Sequence, residues 1–280
     1  MSDNNRVMYA RVGANSHAGG DRAASEDRAV SFSRARPSDP GTVEKLLALS
    51  RVTALNTVPA AAMNAMARAA VFADFEKGDV IYNVGEPIDS LCLVSRGRVI
   101  SSCFSPGGRA LMKLILRNGV FSEVLVDANY QGRCQVRAHI DTRLCRIDEA
   151  DFLRLCEMHP ALATALARLM TERWTQTLQD LEDTVFLNAR QRALKLLDKL
   201  SNETRDEVGV GGRPLIEFSQ DELARLTGVT RERMNCVLRS LEDAAVIQIR
   251  PRALRINSVN LAQAMIEEGL GCVRVQSAET

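Results

Sequence analysis

Residues 219 to 243, SQDELARLTGVTRERMNCVLRSLED, restrict the fold more tightly than any other stretch of the chain. Ser219 followed three residues later by Glu222 is a capping box, a reciprocal pair of hydrogen bonds that starts a helix. Gly228 supplies the left-handed turn that ends that helix, and Thr230 caps a second one. Met234, Val237, Leu238 and Leu241 share one face of the second helix at helical spacing and therefore point inward. Small Ala224 sits where the two helices cross, since a larger side chain there would push them apart. The segment predicts a helix-turn-helix.

The outward face of the second helix carries Arg231, Glu232, Arg233 and Asn235, with Arg239 a turn further on. These side chains suit base edges: Arg grips guanine O6 and N7 together, Glu accepts from cytosine N4, and Asn pairs with adenine. The bland alternative is a solvated charged face on an ordinary helical hairpin. Against it stands the strand-forming AVIQIRPRALRINS, which reads as a two-stranded wing offering Arg250, Arg252 and Arg255 to phosphates. Formal charge agrees, because residues 189 to 260 carry a net +3 and residues 41 to 188 a net −1, within a chain of +1 overall. Double-stranded DNA is the partner these residues predict.

Upstream, the chain of 280 residues is long enough for two domains, and its 46% apolar and 25% charged content excludes global disorder. Residues 1 to 40, rich in Ser, Asn, Gly, Arg and Asp, read as a disordered tail. Between Phe72 and Ile147, short apolar runs alternate with Gly, Pro, Asp and Asn signals, the mark of a small antiparallel barrel or sandwich. Pro106-Gly107-Gly108 reads as a hairpin connection within it. After Pro160 there is no Gly or Pro through Leu187, and Met170, Trp174, Thr177, Leu181 and Thr184 recur at steps of four and three. That heptad seam predicts a long helix pairing with a second copy of itself, because the barrel can cover only part of it. Asn188 offers the cap of a further helix to Leu200, and polar SNETRDEVGVGGRP follows as a loop or hairpin.

Other chemistry is sparse. The seven cysteines are odd in number and form no CxxC pair, which predicts reduced thiols. None of the three histidines stands at ligand spacing from another, so no metal site is expected. With no phosphate loop and no nucleophile-base arrangement, an enzyme is not expected. No apolar run approaches a bilayer span, and the first residues lack a secretory core, so no membrane partner and a cytoplasmic location are expected.

A barrel, a long helix, a hinge and a winged helix-turn-helix ending in TRERMNCVLRSLED resemble, over residues 42 to 260, the catabolite activator family, also called the cyclic-AMP receptor and fumarate-nitrate regulator family. The resemblance implies a bacterial homodimeric transcription regulator that reads a palindromic operator, with RNA polymerase as a further partner. The implied fold class is α+β. An N-terminal antiparallel cyclic-nucleotide-binding-type β-barrel (jelly roll) spans residues 41–159, a dimerisation helix 160–187, and a C-terminal winged helix-turn-helix 188–262, ahead of a tail at 263–280. Thr230, Arg231, Glu232, Arg233, Asn235, Arg239 and Arg252 are the implied DNA-binding residues.

The family's phosphate cassette resembles G-[DE]-x-x-G-E with an Arg ten residues after the Glu. In GVFSEVLVDANYQGRCQV, Glu123 and Arg133 keep that spacing. Arg133 would neutralise a cyclic phosphate and Glu123 would take a ribose hydroxyl, or the two form a structural ion pair in an emptied pocket. Ser122 replaces the Gly, Cys134 replaces a hydroxyl after the Arg, and Thr177-Leu178 replaces the Thr-Ser pair that meets the base. The implied effector residues are Glu123, Arg133, Cys134 and Thr177; the effector is a cyclic nucleotide or another small molecule, and no cofactor is required. With no cysteine before Cys92, an iron-sulfur cluster of the family's type is not expected, and no spacing of His139 or Cys134 supports haem. Cys236 replaces a second base-reading Arg, so the operator is expected to differ at one position per half-site. The competing function is a sensor that acts through a protein partner with its helix-turn-helix inactive.

Overall fold

The computed structural model describes residues 36–38, 41–105, 110–121, 132–208, 215–251 and 253–270. In chain order, β1 (Arg36–Ser38), α1 (Thr42–Ser50) and α2 (Ala60–Ala69) lead into a run of strands. These are β2 (Val71–Phe75), β3 (Val80–Tyr82), β4 (Ser90–Arg96), β5 (Val99–Phe104), β6 (Ala110–Ile115), β7 (Val120–Phe121), β8 (Cys134–Ala138) and β9 (Thr142–Asp148). Three helices follow: α3 (Glu149–Met158), α4 (Pro160–Phe186) and α5 (Ala189–Val208). The chain continues through β10 (Leu215–Ile216), α6 (Gln220–Thr227), α7 (Arg231–Asp243), β11 (Ile247–Arg250), β12 (Ala253–Ile256) and α8 (Ser258–Glu267).

The N-terminal strands form two antiparallel sheets, ordered β1-β2-β9-β4-β7 and β3-β8-β5-β6, which share no hydrogen-bonded strand. Among the described residues the expected jelly roll is therefore a two-sheet sandwich rather than a closed barrel. Phe75, Ile81, Val94, Val99, Phe121 and Leu144 fill the space between the sheets, as period-2 alternation requires. Gly97 turns β4 into β5 with φ +85, and a Cβ there would lie 2.5 Å from the Asp141 carbonyl oxygen, so only Gly fits. On the outer face of the first sheet, α1, α2, α3 and the start of α4 bury Leu49, Met66, Phe152 and Leu162 against Phe72, Leu93 and Ile147.

Four expectations are corrected. Arg36–Ser38, assigned to the disordered tail, pair with β2 as an edge strand, the position in a sheet that tolerates a proline. Helix α5 continues to Val208 through residues expected to be loop; SNETRDEV is polar but holds no Gly or Pro to stop it. The boundary placed at 262 falls inside α8, whose Ala264 is buried and whose following residue Glu268 accepts from Arg190 Nε at 2.9 Å. Finally, Cys103 and Cys134 are joined in a disulfide, where reduced thiols were expected. The Pro106-Gly107-Gly108 connection lies outside the described residues, although β5 and β6 on either side pair from Val99↔Ile115 to Phe104↔Ala110.

Candidate DNA-binding interface and effector site

Local caps set the reading helix. Glu222 Oε2 accepts from the Ser219 N–H and hydroxyl, each at 2.7 Å, while the Glu222 N–H returns a bond to Ser219 Oγ at 3.2 Å. Gly228 takes φ +68, and Thr230 Oγ1 accepts from the Arg233 N–H at 3.2 Å to open α7. Met234, Val237, Leu238 and Leu241 are buried, which forces Arg231, Glu232, Arg233, Cys236 and Arg239 into solvent and leaves Asn235 half-buried. The Glu232 carboxyl is held below its ordinary value by hydrogen bonds from its own backbone N–H and the Thr230 hydroxyl, so it is ready as an anionic acceptor. Arg190 on α5 donates to Ser240 Oγ at 2.7 Å and fixes the far end of α7. The wing is a three-stranded sheet, β10-β12-β11, with Arg250 and Arg255 exposed; Arg252 lies outside the described residues.

Helix α4 spans 27 residues, about 40 Å at 1.5 Å per residue. Its first half buries Leu162, Ala165 and Leu169 on the sandwich. Its second half leaves Met170, Trp174, Leu178, Leu181, Val185 and Phe186 in solvent, with Trp174 64% and Phe186 78% exposed. A contiguous apolar stripe of this length on a single chain marks an association surface.

Of the effector residues, Glu123 lies outside the described residues. Arg133 is exposed immediately before β8. Cys134 is bonded to Cys103 and has no thiol to offer a ligand. Thr177 is exposed, and its hydroxyl donates to the Arg173 carbonyl at 2.8 Å, one turn back along α4. Cys92 and Cys145 are buried, and desolvation pushes both thiols up to about 12, which leaves them inert.

The residues that join the two domains went unread in the sequence. Arg98 Nε donates to His139 Nδ1 at 3.1 Å, and His139 Nε2 faces Glu222 Oε1 at 3.3 Å. The His139 ring stacks on Phe218 with centroids 4.2 Å apart, and the Arg98 guanidinium lies over the same ring at 4.9 Å. His139 thus bridges a cation of the sandwich and a carboxylate of the helix-turn-helix through its two ring nitrogens. Burial opposes ionisation of Glu222, yet the hydrogen bonds from His139 and Ser219 outweigh it and bring this carboxyl down to about 2. Around this contact, Ile100 and Leu114 of the second sheet share a core with Phe218, Leu223, Ala224 and Met234. The capping box was the legible half of Glu222; its second partner lies 83 residues earlier in the chain and gives no local signal.

A two-sheet sandwich, joined through a long helix to a capped, arginine-bearing helix-turn-helix, is the architecture of a sensor-linked, DNA-binding transcription regulator. Family comparison agrees: residues 72–159 match the cyclic nucleotide-binding domain and residues 162–262 the Crp-like helix-turn-helix domain. The chain belongs to the catabolite activator (cyclic-AMP receptor and fumarate-nitrate regulator) family, and is a regulator rather than an enzyme. It is 23% identical over 210 residues, 75% of this chain and 94% of the relative, to a CRP-like cAMP-activated global transcriptional regulator of Mycobacterium tuberculosis. To the cyclic AMP receptor protein of Thermus thermophilus it is 28% identical over 191 residues, 68% of this chain and 85% of that one. Among solved structures, the c-di-GMP responsive global regulator CLP of Xanthomonas campestris matches with a TM-score of 0.60 at 19% identity, covering 71% of this chain and 99% of that one. No helix among the described residues is long and apolar enough to cross a membrane.

Proposed function

We propose that the protein acts in the cytoplasm as a homodimer on a palindromic operator, contacts RNA polymerase there, and answers to a small effector bound beside Arg133. The observation that carries this reading is the pairing of two unsatisfied surfaces on one chain. The α7 face exposes Arg231, Arg233 and Arg239, and the α4 stripe exposes Trp174 and Leu181. A dimer along α4 covers the second surface and duplicates the first, giving one reading helix for each half-site.

Cyclic AMP is poorly served by this site. Leu178 stands where a hydroxyl would meet the base, and Cys134, which would face the phosphate, is spent in a disulfide. Two missing hydrogen bonds of about 0.5 to 1.5 kcal/mol each lower affinity by one to two orders of magnitude. Operator binding is therefore expected without added cyclic AMP, from an active ligand-free state or with another ligand that still uses Arg133. Duplexes selected from a random pool by the protein itself, titrated with and without cyclic AMP, test this. Strict dependence on cyclic AMP, abolished by Arg133→Leu, would overturn ligand independence, and failure to select any sequence would overturn operator recognition.

A further inference from the structure

We infer that Cys103–Cys134 is a reversible thiol–disulfide site, exchanged in the folded protein by low-molecular-weight thiols, whose state sets how firmly the helix-turn-helix is held on the sandwich. Three observations carry this beyond a structural cross-link.

The bond joins residues that the sheet already places together. Cys103 and Cys134 are a register pair of the β5–β8 ladder with Cα atoms 4.4 Å apart, the spacing of directly opposed residues in an antiparallel pair. Breaking it leaves two thiols facing each other and ready to close again. Access comes second. Cys103 is exposed and Cys134 half-buried, whereas Cys92 and Cys145 are sealed in the core. Exposed disulfides are the ones open to exchange.

The third observation is position. The β5–β8 ladder runs from Val99↔Ala138 to Cys103↔Cys134, so the disulfide closes one end of the central ladder of the β3-β8-β5-β6 sheet. At the other end, the residues next to that first pair are Arg98 and His139, joined by the His139 N–H to the Arg98 carbonyl at 3.0 Å and by their side chains. Those two side chains hold Phe218 and Glu222, and Ile100 between the ends packs in the helix-turn-helix core. Freeing the stapled end leaves β5 held by β6 and β8 held by β3, and loosens the ladder between them that carries the latch.

The chemistry balances with glutathione as reductant. Its thiolate attacks Cys103 Sγ, the S–S bond breaks, and Cys134 leaves as a thiolate that takes a proton from solvent. A second glutathione thiolate attacks the glutathione sulfur of the mixed disulfide and releases Cys103. Net, two glutathione thiols become one glutathione disulfide, and two electrons and two protons pass to the protein. The same steps reversed, driven by excess glutathione disulfide, restore the bond.

The test uses the full-length native protein in a series of glutathione redox buffers, quenched by alkylation and read by intact mass, with hydrogen exchange followed on peptides covering residues 216–228. Expected are reduction of the pair without denaturant, reoxidation on returning the buffer, and several-fold faster exchange of the α6 amides in the reduced form. A Cys103→Ser/Cys134→Ser variant should sit at the reduced level and ignore the buffer. A pair that stays oxidised in excess reduced glutathione until the protein unfolds would overturn the proposal. So would α6 exchange that is identical in the two redox states, a comparison made on wild-type protein and independent of how the variant folds.

Discussion

Glu222 serves two structures with one carboxylate: Oε2 closes the cap of α6 and Oε1 receives His139 from the sandwich. Its folded value, about 2, lies below the ordinary 4.5, so it favours the folded state fully above pH 4.5 and loses that contribution as the pH falls toward 2. Glu222→Gln lacks this acid limb. Urea midpoints at pH 7 and pH 3 should differ more in the wild type than in the variant; equal differences would show that the carboxylate's hydrogen bonds from His139 and Ser219 do not stabilise docking. On the DNA face, Arg231→Ala is expected to cost roughly 1 to 3 kcal/mol per half-site and to relax preference at one base, whereas Arg252→Ala weakens all sequences alike and lowers the salt slope by about 1. Binding titrations across salt concentrations on selected and scrambled duplexes separate the two. Ser219, Gly228 and Thr230 were legible because capping acts within three or four residues. Arg98 and His139 were not, because their meaning depends on which residues of the other domain they face.

Helix α4 changes character along its length: its N-terminal half is bound by the sandwich, and its C-terminal half exposes Trp174, Leu178, Leu181 and Val185 to solvent. Leu181→Lys places two like charges in the proposed seam, a cost of about 3 to 5 kcal/mol if they are buried unpaired, and should yield monomers in sedimentation velocity at micromolar concentration. A variant that stays dimeric there would move the interface elsewhere. The heptad spacing made this helix readable. The end of α5 was misread because composition marks loops only statistically, and polar helix formers without Gly or Pro continue a helix as readily as they leave it. In the β4–β5 turn, Gly97→Ala meets both a positive φ and a 2.5 Å contact with Asp141, and is expected to cost more than about 1 kcal/mol in urea unfolding.

Taken whole, the chain places a piece of its DNA-binding core in its sensor, since Ile100 and Leu114 belong to the same buried cluster as Leu223 and Met234. Unfolding should therefore be a single cooperative calorimetric transition, and Ile100→Ala, at about 2 to 5 kcal/mol, should lower it without splitting it. Two resolved transitions would show the halves to be energetically separate. Strand and helix patterning disclosed both halves, but the sheet face that receives α6 looked like any half-buried strand surface, because alternation reports burial and not what does the burying.

The shared core also limits how freely such proteins can be recombined. A reading module cut at Asn188 and grafted onto another sensor would carry Phe218, Leu223 and the free arm of Glu222 to a recipient that supplies no aliphatic pair, no imidazole and no cation to meet them. The graft would keep its operator preference if, as proposed, that preference is set by the exposed face of α7. It would lose its subordination to the sensor, so a working chimera must transplant Arg98, Ile100, Leu114 and His139 together with the module they grip.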